Sequence, residues 1–336
     1  MKKLNPISLL IVGAALAGFN SSNAQFLDLN VINPKLTVEG SYYSPSGDLI
    51  NHDQRMESIS LQFPIKSKFR LGVNWKDLLT AGSIINAIKK IEPKAYQIMG
   101  SVGLSHGSFS NNWTANPGFR DIAGGKIGLT GFHVWYKNKR PGSFIWNVNV
   151  GFIEDIETME LFTPNISGIF GVGGLIKLKA IWFAGVYVNH YDNFFATPIL
   201  VLNGRISKKW KYGIIAPKEV KLIYKHSKSW KQDFVFGIDA NQFQSQVNFG
   251  ESNILSGYTN QLTYLKGSTQ SRFRLGKKVH WYLEGGYYFQ GRYRIINSET
   301  NQSENTPLKG GWFAKSKITF AIAKSLINSG PLNLDF

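Results

Sequence analysis

Six histidines, His52, His106, His133, His190, His226 and His280, are the side chains best suited to metal or acid–base chemistry. Metal catalysis needs ligands brought to one face, as in H-x-x-x-H or H-E-x-x-H, and none of these residues stands at such a spacing. His133 and His190 fall inside alternating stretches, where a hydrogen-bonded or interfacial imidazole is the plainer reading, and His226 and His280 adjoin turns. A serine nucleophile would be marked by a G-x-S-x-G elbow, which is absent, although a dispersed triad is recognised only by geometry. Gly171-Val172-Gly173-Gly174 and Gly285-Gly286 lack the following helix and the lysine of a phosphate loop, so they are strand glycines that permit curvature or close packing. The chain has no cysteine, which excludes a disulfide, a thiolate zinc site, an iron–sulfur cluster, a lipid-modified cysteine and a cysteine nucleophile. No catalytic residue, metal ligand or cofactor site is predicted, and the chain is expected not to be an enzyme.

The charged residues are more informative because many share one row of alternating segments. Glu39, Glu57, Arg70, Arg272, Arg274, Glu284, Arg292, Lys315 and Lys317 are predicted to lie opposite an apolar row. Of these, Arg70, Arg272, Arg274, Glu284, Arg292, Lys315 and Lys317 are candidate lumen charges. In a narrow barrel they would form a salt-bridged interior, and in a wider one they would line an aqueous channel biased toward anions.

The elements that must position them repeat every second residue. Phe144, Trp146, Val148, Val150 and Phe152 alternate with Asn147, Asn149 and Gly151. Phe234, Phe236, Ile238 and Ala240 alternate with Asp233, Gly237, Asp239 and Asn241. Trp281, Leu283, Gly285, Tyr287 and Phe289 alternate with Tyr282, Glu284, Gly286, Tyr288 and Gln290, and Trp312, Ala314, Ile318, Phe320 and Ile322 with Lys315, Lys317 and Thr319. These runs have the ~9–12 residues that a tilted strand needs to cross a bilayer. Weaker strands are predicted at 36–43, 55–63, 69–75, 97–104, 126–137, 168–178, 181–190, 198–206, 218–225 and 271–275.

Short turns at Ile65-Lys66-Ser67, Lys139-Arg140-Pro141-Gly142, Ser207-Lys208-Lys209, Ser227-Lys228-Ser229 and Gly276-Lys277-Lys278 imply consecutive antiparallel hairpins. Longer polar links at 44–54, 154–167 and 295–310 suit outer loops. The prediction is an all-β transmembrane antiparallel barrel of about 14 strands, within a range of about 12 to 16. Strand parity breaks between Leu104 and Lys225. A further strand within 105–121 and another near Tyr212–Ile215 would restore it. Asp77 to Lys90 breaks the alternation, with Ala81, Ile84, Ile85 and Ile88 at helical spacing, and predicts a short helix in an outer loop.

The outward rows carry Trp146, Trp281, Tyr287 and Trp312 toward strand ends, as an aromatic girdle would. The N-terminus gives the compartment. Lys2 and Lys3 precede an apolar run from Ile7 to Phe19, and Ser22-Asn23-Ala24 puts small residues at a cleavage site before Gln25. Residues 1–24 are a predicted signal peptide and 25–336 a single barrel domain in the cell outer membrane.

The signal peptide, the glycine–aromatic alternation and the terminal Phe336 resemble outer-membrane β-barrel proteins of Gram-negative bacteria. More narrowly, Pro198-Ile199-Leu200-Val201-Leu202-Asn203-Gly204, Trp210, Ala216-Pro217, Val220-Lys221-Leu222-Ile223-Tyr224 and Asp233-Phe234-Val235-Phe236-Gly237 resemble a family of such barrels of unknown function. That resemblance implies a barrel and supplies no activity.

The formal charge of +17 would ordinarily raise nucleic-acid binding. Export and the placing of lysines in turns instead favour anionic lipid headgroups or lipopolysaccharide phosphates, with the barrel assembly machinery and small solutes as further partners. The expected function is a passive pore or a structural envelope protein. The alternatives are an extracellular-loop adhesin or receptor on a closed barrel, and a lipid-modifying barrel enzyme.

Overall fold

The computed structural model describes residues 34–45, 54–70, 94–111, 118–137, 140–156, 164–176, 180–190, 194–248, 255–297 and 303–322. The predicted signal peptide, the helix predicted at 77–90 and the terminal Phe336 lie outside the described residues.

The first strands are β1 (Lys35–Pro45), β2 (Gln54–Arg70), β3 (Lys94–Asn111), β4 (Gly118–Lys137) and β5 (Arg140–Asp155). A lower wall follows: β6 (Asn165–Ile176), β7 (Ala180–His190), β8 (Phe194–Arg205), β9 (Trp210–Ala216) and β10 (Glu219–Lys225). Then come β11 (Trp230–Asn248), β12 (Leu255–Arg274), β13 (Val279–Asn297), β14 (Ser303–Leu308) and β15 (Gly311–Ala321). Strands adjacent in sequence pair antiparallel up to β14, and β15 pairs with β13. β1 pairs with β15 from Lys35↔Ala321 to Pro45↔Gly311, which closes the sheet. β14 continues the line of β15 along β13, so the two form one wall interrupted at Lys309 and Gly310. The molecule is a closed antiparallel 14-strand β-barrel.

Both termini leave the barrel at the same end, here the terminus end. The turns at 206–209, 226–229 and 275–278 lie there too, as the predicted hairpins require. β2 and β3 are also joined from this end, since Arg70 pairs with Lys94 below the level where Lys35 pairs with Gln62.

The strand number agrees with the expectation through two errors that cancel. Ile65-Lys66-Ser67 is not a turn: β2 runs through it, with a register shift between Pro64 and Lys66 that leaves Ile65 as a bulge. The stretch predicted at 55–63 and the described start of the one predicted at 69–75, Phe69 and Arg70, thus lie in one strand. The missing strand is β9, at the Tyr212–Ile215 site, whereas the described residues of 105–121 belong to the upper ends of β3 and β4.

The outer surface explains the closure. Leu104 (62% exposed), Ile127 (61%) and Phe236 (54%) stand in a continuous band with Val102, Leu129, Phe170, Val172, Leu200, Val220 and Leu283. An apolar wall of that extent is not sustained in water, and in acyl chains it is the favoured surface. Lipid offers no partner for backbone N–H and C=O groups, so the sheet can have no open edge. Glycine lets indoles lie flat on this wall: a Cβ on Gly142 would come within 2.7 Å of the Trp135 ring, and one on Gly131 would collide with Trp146.

Above the short β9–β10 hairpin the wall is low, and the barrel closes over it. β11 pairs with β10 only as far as Glu219↔Gly237, then rises past it to a parallel bridge between Gln244 and Glu154 of β5. Ile238 and Ala240, expected to face lipid with Phe234 and Phe236, are instead 5% exposed at this crossing.

If the outer row faces acyl chains, Ile127→Arg will destabilise the barrel in liposomes by about 2–4 kcal/mol, the cost of a cation at the bilayer midplane. Urea unfolding of the reconstituted protein, compared with Lys126→Ala on the opposite face, measures it.

Candidate functional site

The lumen is filled in layers, built from the inward rows of β1, β2, β4, β5 and β11 to β15. Lowest is a cavity of about 200 Å³ reaching the terminus end, lined by residues that include Lys35 and Ala321 at the ends of β1 and β15. Above it lies an ionic layer centred on Asp239 of β11, which is 2% exposed. Lys315 Nζ donates to Asp239 Oδ2 at 2.8 Å, Tyr288 OH donates to the same oxygen at 3.1 Å, and Lys266 Nζ lies 3.5 Å from it. Lys266 also reaches Glu284 Oε1 at 3.2 Å, and Ser268 Oγ donates to that oxygen at 2.7 Å. Four strands are joined by this network.

The next layer is aromatic. Tyr288 stacks on Phe313 at 4.5 Å and on Tyr43 at 5.4 Å, and Tyr264 tilts against it at 4.5 Å. Lys315 Nζ sits 5.2 Å from the Tyr43 ring centre and Lys266 Nζ 5.5 Å from that of Phe313, so the two lysines are held between carboxylate and π-faces. Above the rings, Ile122 of β4 packs with Leu262 of β12, Tyr293 of β13 and Leu308 of β14, and Met56 and Ile153 join them. Side chains from opposing walls meet here: Leu262 is 0% exposed and Ile122 2%.

The other half of the lumen is apolar. Ile169, Phe183, Tyr187, Ile199, Val201 and Ile215 form one cluster across β6 to β9, and Ala95 packs with Phe132 beside it. Asn147 bridges this region to β4 by donating to Thr130 Oγ1 at 2.8 Å, and its side chain also bonds Asn149.

Of the predicted lumen charges, Glu284 and Lys315 are in the ionic layer. Arg272 lines the cavity and binds Asp233, with Nη2 at 2.7 Å and Nε at 3.2 Å from Oδ1. Lys317 lines the cavity with its Nζ 5.0 Å from the centre of the Tyr282 ring. Glu39 also lines it. Arg274 is exposed at the terminus-end rim, its Nε donating to Gly276 O at 3.1 Å. Only the backbone of Arg70 is described.

Two placements are corrected. Arg292 is exposed on the outward row, because Leu265 and Lys266 pair with Gln290 and Tyr288 and the bulge at Phe289 reverses the alternation above it. Glu57 is exposed on the row of Ile59 and Leu61, opposite that of Met56.

Lys218, Lys266 and Asp239 are the functional side chains that the alternation did not single out. Asp239 stood on a recognised polar row. Lys266 lies in a part of β12 whose outward row, with Thr263, Gly267 and Thr269, carries little apolar signal.

Aromatic rings stand at two levels on the outer face. Near the terminus end they run Trp210–Tyr224 (4.7 Å), Tyr224–His226 (4.6 Å), His226–Trp230 (3.8 Å), Trp230–Phe273 (6.1 Å) and Phe273–Trp281 (5.8 Å). Trp281 Nε1 donates to Ser316 Oγ at 3.1 Å. At the opposite level Trp312 meets Tyr287 at 5.1 Å and Tyr287 meets Phe289 at 5.6 Å. Trp146 lies on the same outer face, over Gly131. From Trp281 to Phe289 is roughly 27 Å along the strand at ~3.4 Å per residue. A tilt of about 40° reduces this to ~20 Å.

No protein-family model matches the chain, and no curated protein does. Among solved structures it is similar to the translocator domain of the autotransporter NalP from Neisseria meningitidis, at 9% identity and a TM-score of 0.33 over 92% of this chain and 94% of that one. It is also similar to the transport unit of the autotransporter AIDA-I from Escherichia coli, at 11% identity and a TM-score of 0.31 over 94% and 99% of the two chains. The siderophore receptor PirA from Pseudomonas aeruginosa follows at 9% identity and a TM-score of 0.28 over 86% and 80%.

Removing Asp239 leaves Lys315 and Lys266 without their shared carboxylate inside the barrel. Asp239→Ala is expected to lower stability by about 3–5 kcal/mol, the cost of breaking a buried ion pair from one side. The shift in urea midpoint of the detergent-folded protein reads it directly.

Proposed function

We propose that this chain is an outer-membrane β-barrel with a closed lumen, a non-catalytic structural protein of the envelope and not a passive pore. The observation that carries the reading is the meeting of opposing walls above the cavity: Ile122 against Leu262 and Tyr293, over the stacked Tyr43, Tyr288 and Phe313. Barrels of 16 to 18 strands keep an aqueous channel and those of about 8 are filled by side chains. This one lies between, and its crossing of β11 to β5 narrows the upper part toward the filled case.

Outer-membrane residence is supported by the closed antiparallel sheet, the apolar outer band and the two aromatic levels. The orientation that fits is terminus end toward the periplasm, where bacterial barrels place their tight turns. The turn lysines Lys208, Lys209, Lys228, Lys277 and Lys278 would then meet the anionic phospholipids of the inner leaflet. Lipopolysaccharide phosphates would lie at the other end of the barrel. The barrel assembly machinery is the partner that insertion of such a sheet calls for.

Planar-bilayer recording tests the closed lumen. The wild-type protein is expected to give no stable conductance steps, and a Leu262→Gly/Tyr293→Ala double variant, which empties the apolar layer, to give brief ones. Sustained wild-type channels of nanosiemens size would refute the reading and return the protein to the passive-pore class.

A further inference from the structure

We propose that the cavity below the ionic layer is a binding site for a small dianionic solute, of the class of inorganic phosphate or a short dicarboxylate. The proposal rests on the closed-lumen reading, because the roof makes this a blind chamber with one mouth instead of a stretch of channel.

The charge balance of the chamber points there. Among the described residues, seven cationic side chains and five acidic ones line its wall. Arg272 is matched by Asp233 and Lys221 by Glu219 at 3.3 Å, while Lys266 and Lys315 share Asp239 and Glu284. Glu39 of β1 stands directly across from Lys317 of β15, and Lys35 lies four residues earlier on β1. The cations therefore exceed the acids by two. Lys317 lies over the Tyr282 ring.

Lys218 is the more telling. It sits in the two-residue turn between β9 and β10, is 5% exposed, and lines the cavity, and the carboxylates that act on its ammonium, Asp239 and Glu219, are already engaged by Lys315 and Lys266 and by Lys221. A buried ammonium that shares its carboxylates with other cations is under-compensated, and burying charge is costly unless it is fully paired. The turn is held in place from the backbone, where Ile238 N donates to Lys218 O at 2.8 Å. A dianion entering from the terminus end would supply the two negative charges that the wall is short of.

Size sets the ligand class. The volume of about 200 Å³ is below the roughly 300–1,000 Å³ typical of drug-sized pockets. At about 30 Å³ per water it holds a phosphate or a four-carbon dicarboxylate with a few waters, and excludes a nucleotide.

The test uses the full chain folded in zwitterionic detergent, with folding checked by heat-modifiable gel migration. Inorganic phosphate and succinate are titrated calorimetrically, with glucose as the neutral control. Saturable binding of at least one anion and none of glucose is expected, weakened at least tenfold in Lys218→Gln and unchanged in Lys208→Gln, whose lysine lies in a turn outside the chamber. If Lys218→Gln fails to fold, Lys317→Gln carries the same expectation. The proposal is overturned if the folded wild-type protein binds neither anion, if both glutamine variants bind as tightly as wild type, or if only micelles containing phosphatidylglycerol bind. Wild-type conductance together with Lys218-dependent phosphate binding refutes the closed roof and leaves the site standing. A non-conducting barrel that binds neither anion refutes the site alone.

Discussion

Pairing of every backbone polar group within the wall is the constraint from which the rest of this molecule follows. Acyl chains accept no hydrogen bond, so the sheet must close, and it closes between β1 and β15. Closure in turn commits each residue to one of two faces. With Val38, Ile59 and Phe320 assigned to lipid, their neighbours Glu39, Ser58 and Thr319 have no choice but the interior. The interior charges are thus a consequence of the outer row, and the fold must then make them tolerable.

It does so by clustering. Asp239 receives Lys315, Lys266 and Tyr288, and Glu284 receives Lys266 and Ser268, so that charges from β11, β12, β13 and β15 neutralise one another across strand boundaries. Such an arrangement contributes little net stability over an apolar filling, because desolvation offsets most of the attraction. What it supplies is a wall-to-wall link whose loss is expensive. The aromatic layer above uses the same lysines a second time through their π-contacts. Polar and apolar fillings occupy opposite halves of the lumen, so the chamber is bordered by charge on β10 to β15 and β1, while β6 to β9 pack solidly.

How much of this was legible in the sequence depends on whether the two-residue period stayed unbroken. It did along β5, β15 and the lower part of β13, where Trp146, Trp281, Trp312, Glu284 and Lys315 stand on the predicted faces. It failed at bulges, which a local pattern does not reveal: Ile65 made one strand look like two, and Phe289 turned Arg292 outward. It also failed where the outer row is polar, as along Thr263, Gly267 and Thr269 of β12, which hid Lys266. Neither the meeting of β11 with β5 nor the contact of Ile122 with Leu262 has any local signature. Both arise because β9 and β10 are short, and the length of a strand matters here only through what its neighbours do above it.

The short hairpin also explains why Lys218 is inside. In a barrel of even height the turn between β9 and β10 would stand at the rim and its lysine would be solvated. Here β11 continues upward beyond Gly237 and leans across to β5, so the turn lies beneath a wall that has closed over it. The hydrogen bond from Ile238 N to Lys218 O joins the turn to that wall. The same geometric fact therefore closes the upper lumen, removes Ile238 and Ala240 from lipid, and delivers a further cation to the chamber below. Lengthening β9 and β10 by a few paired residues would undo all three together, because the turn would rise to the level of the crossing and force β11 away from β5.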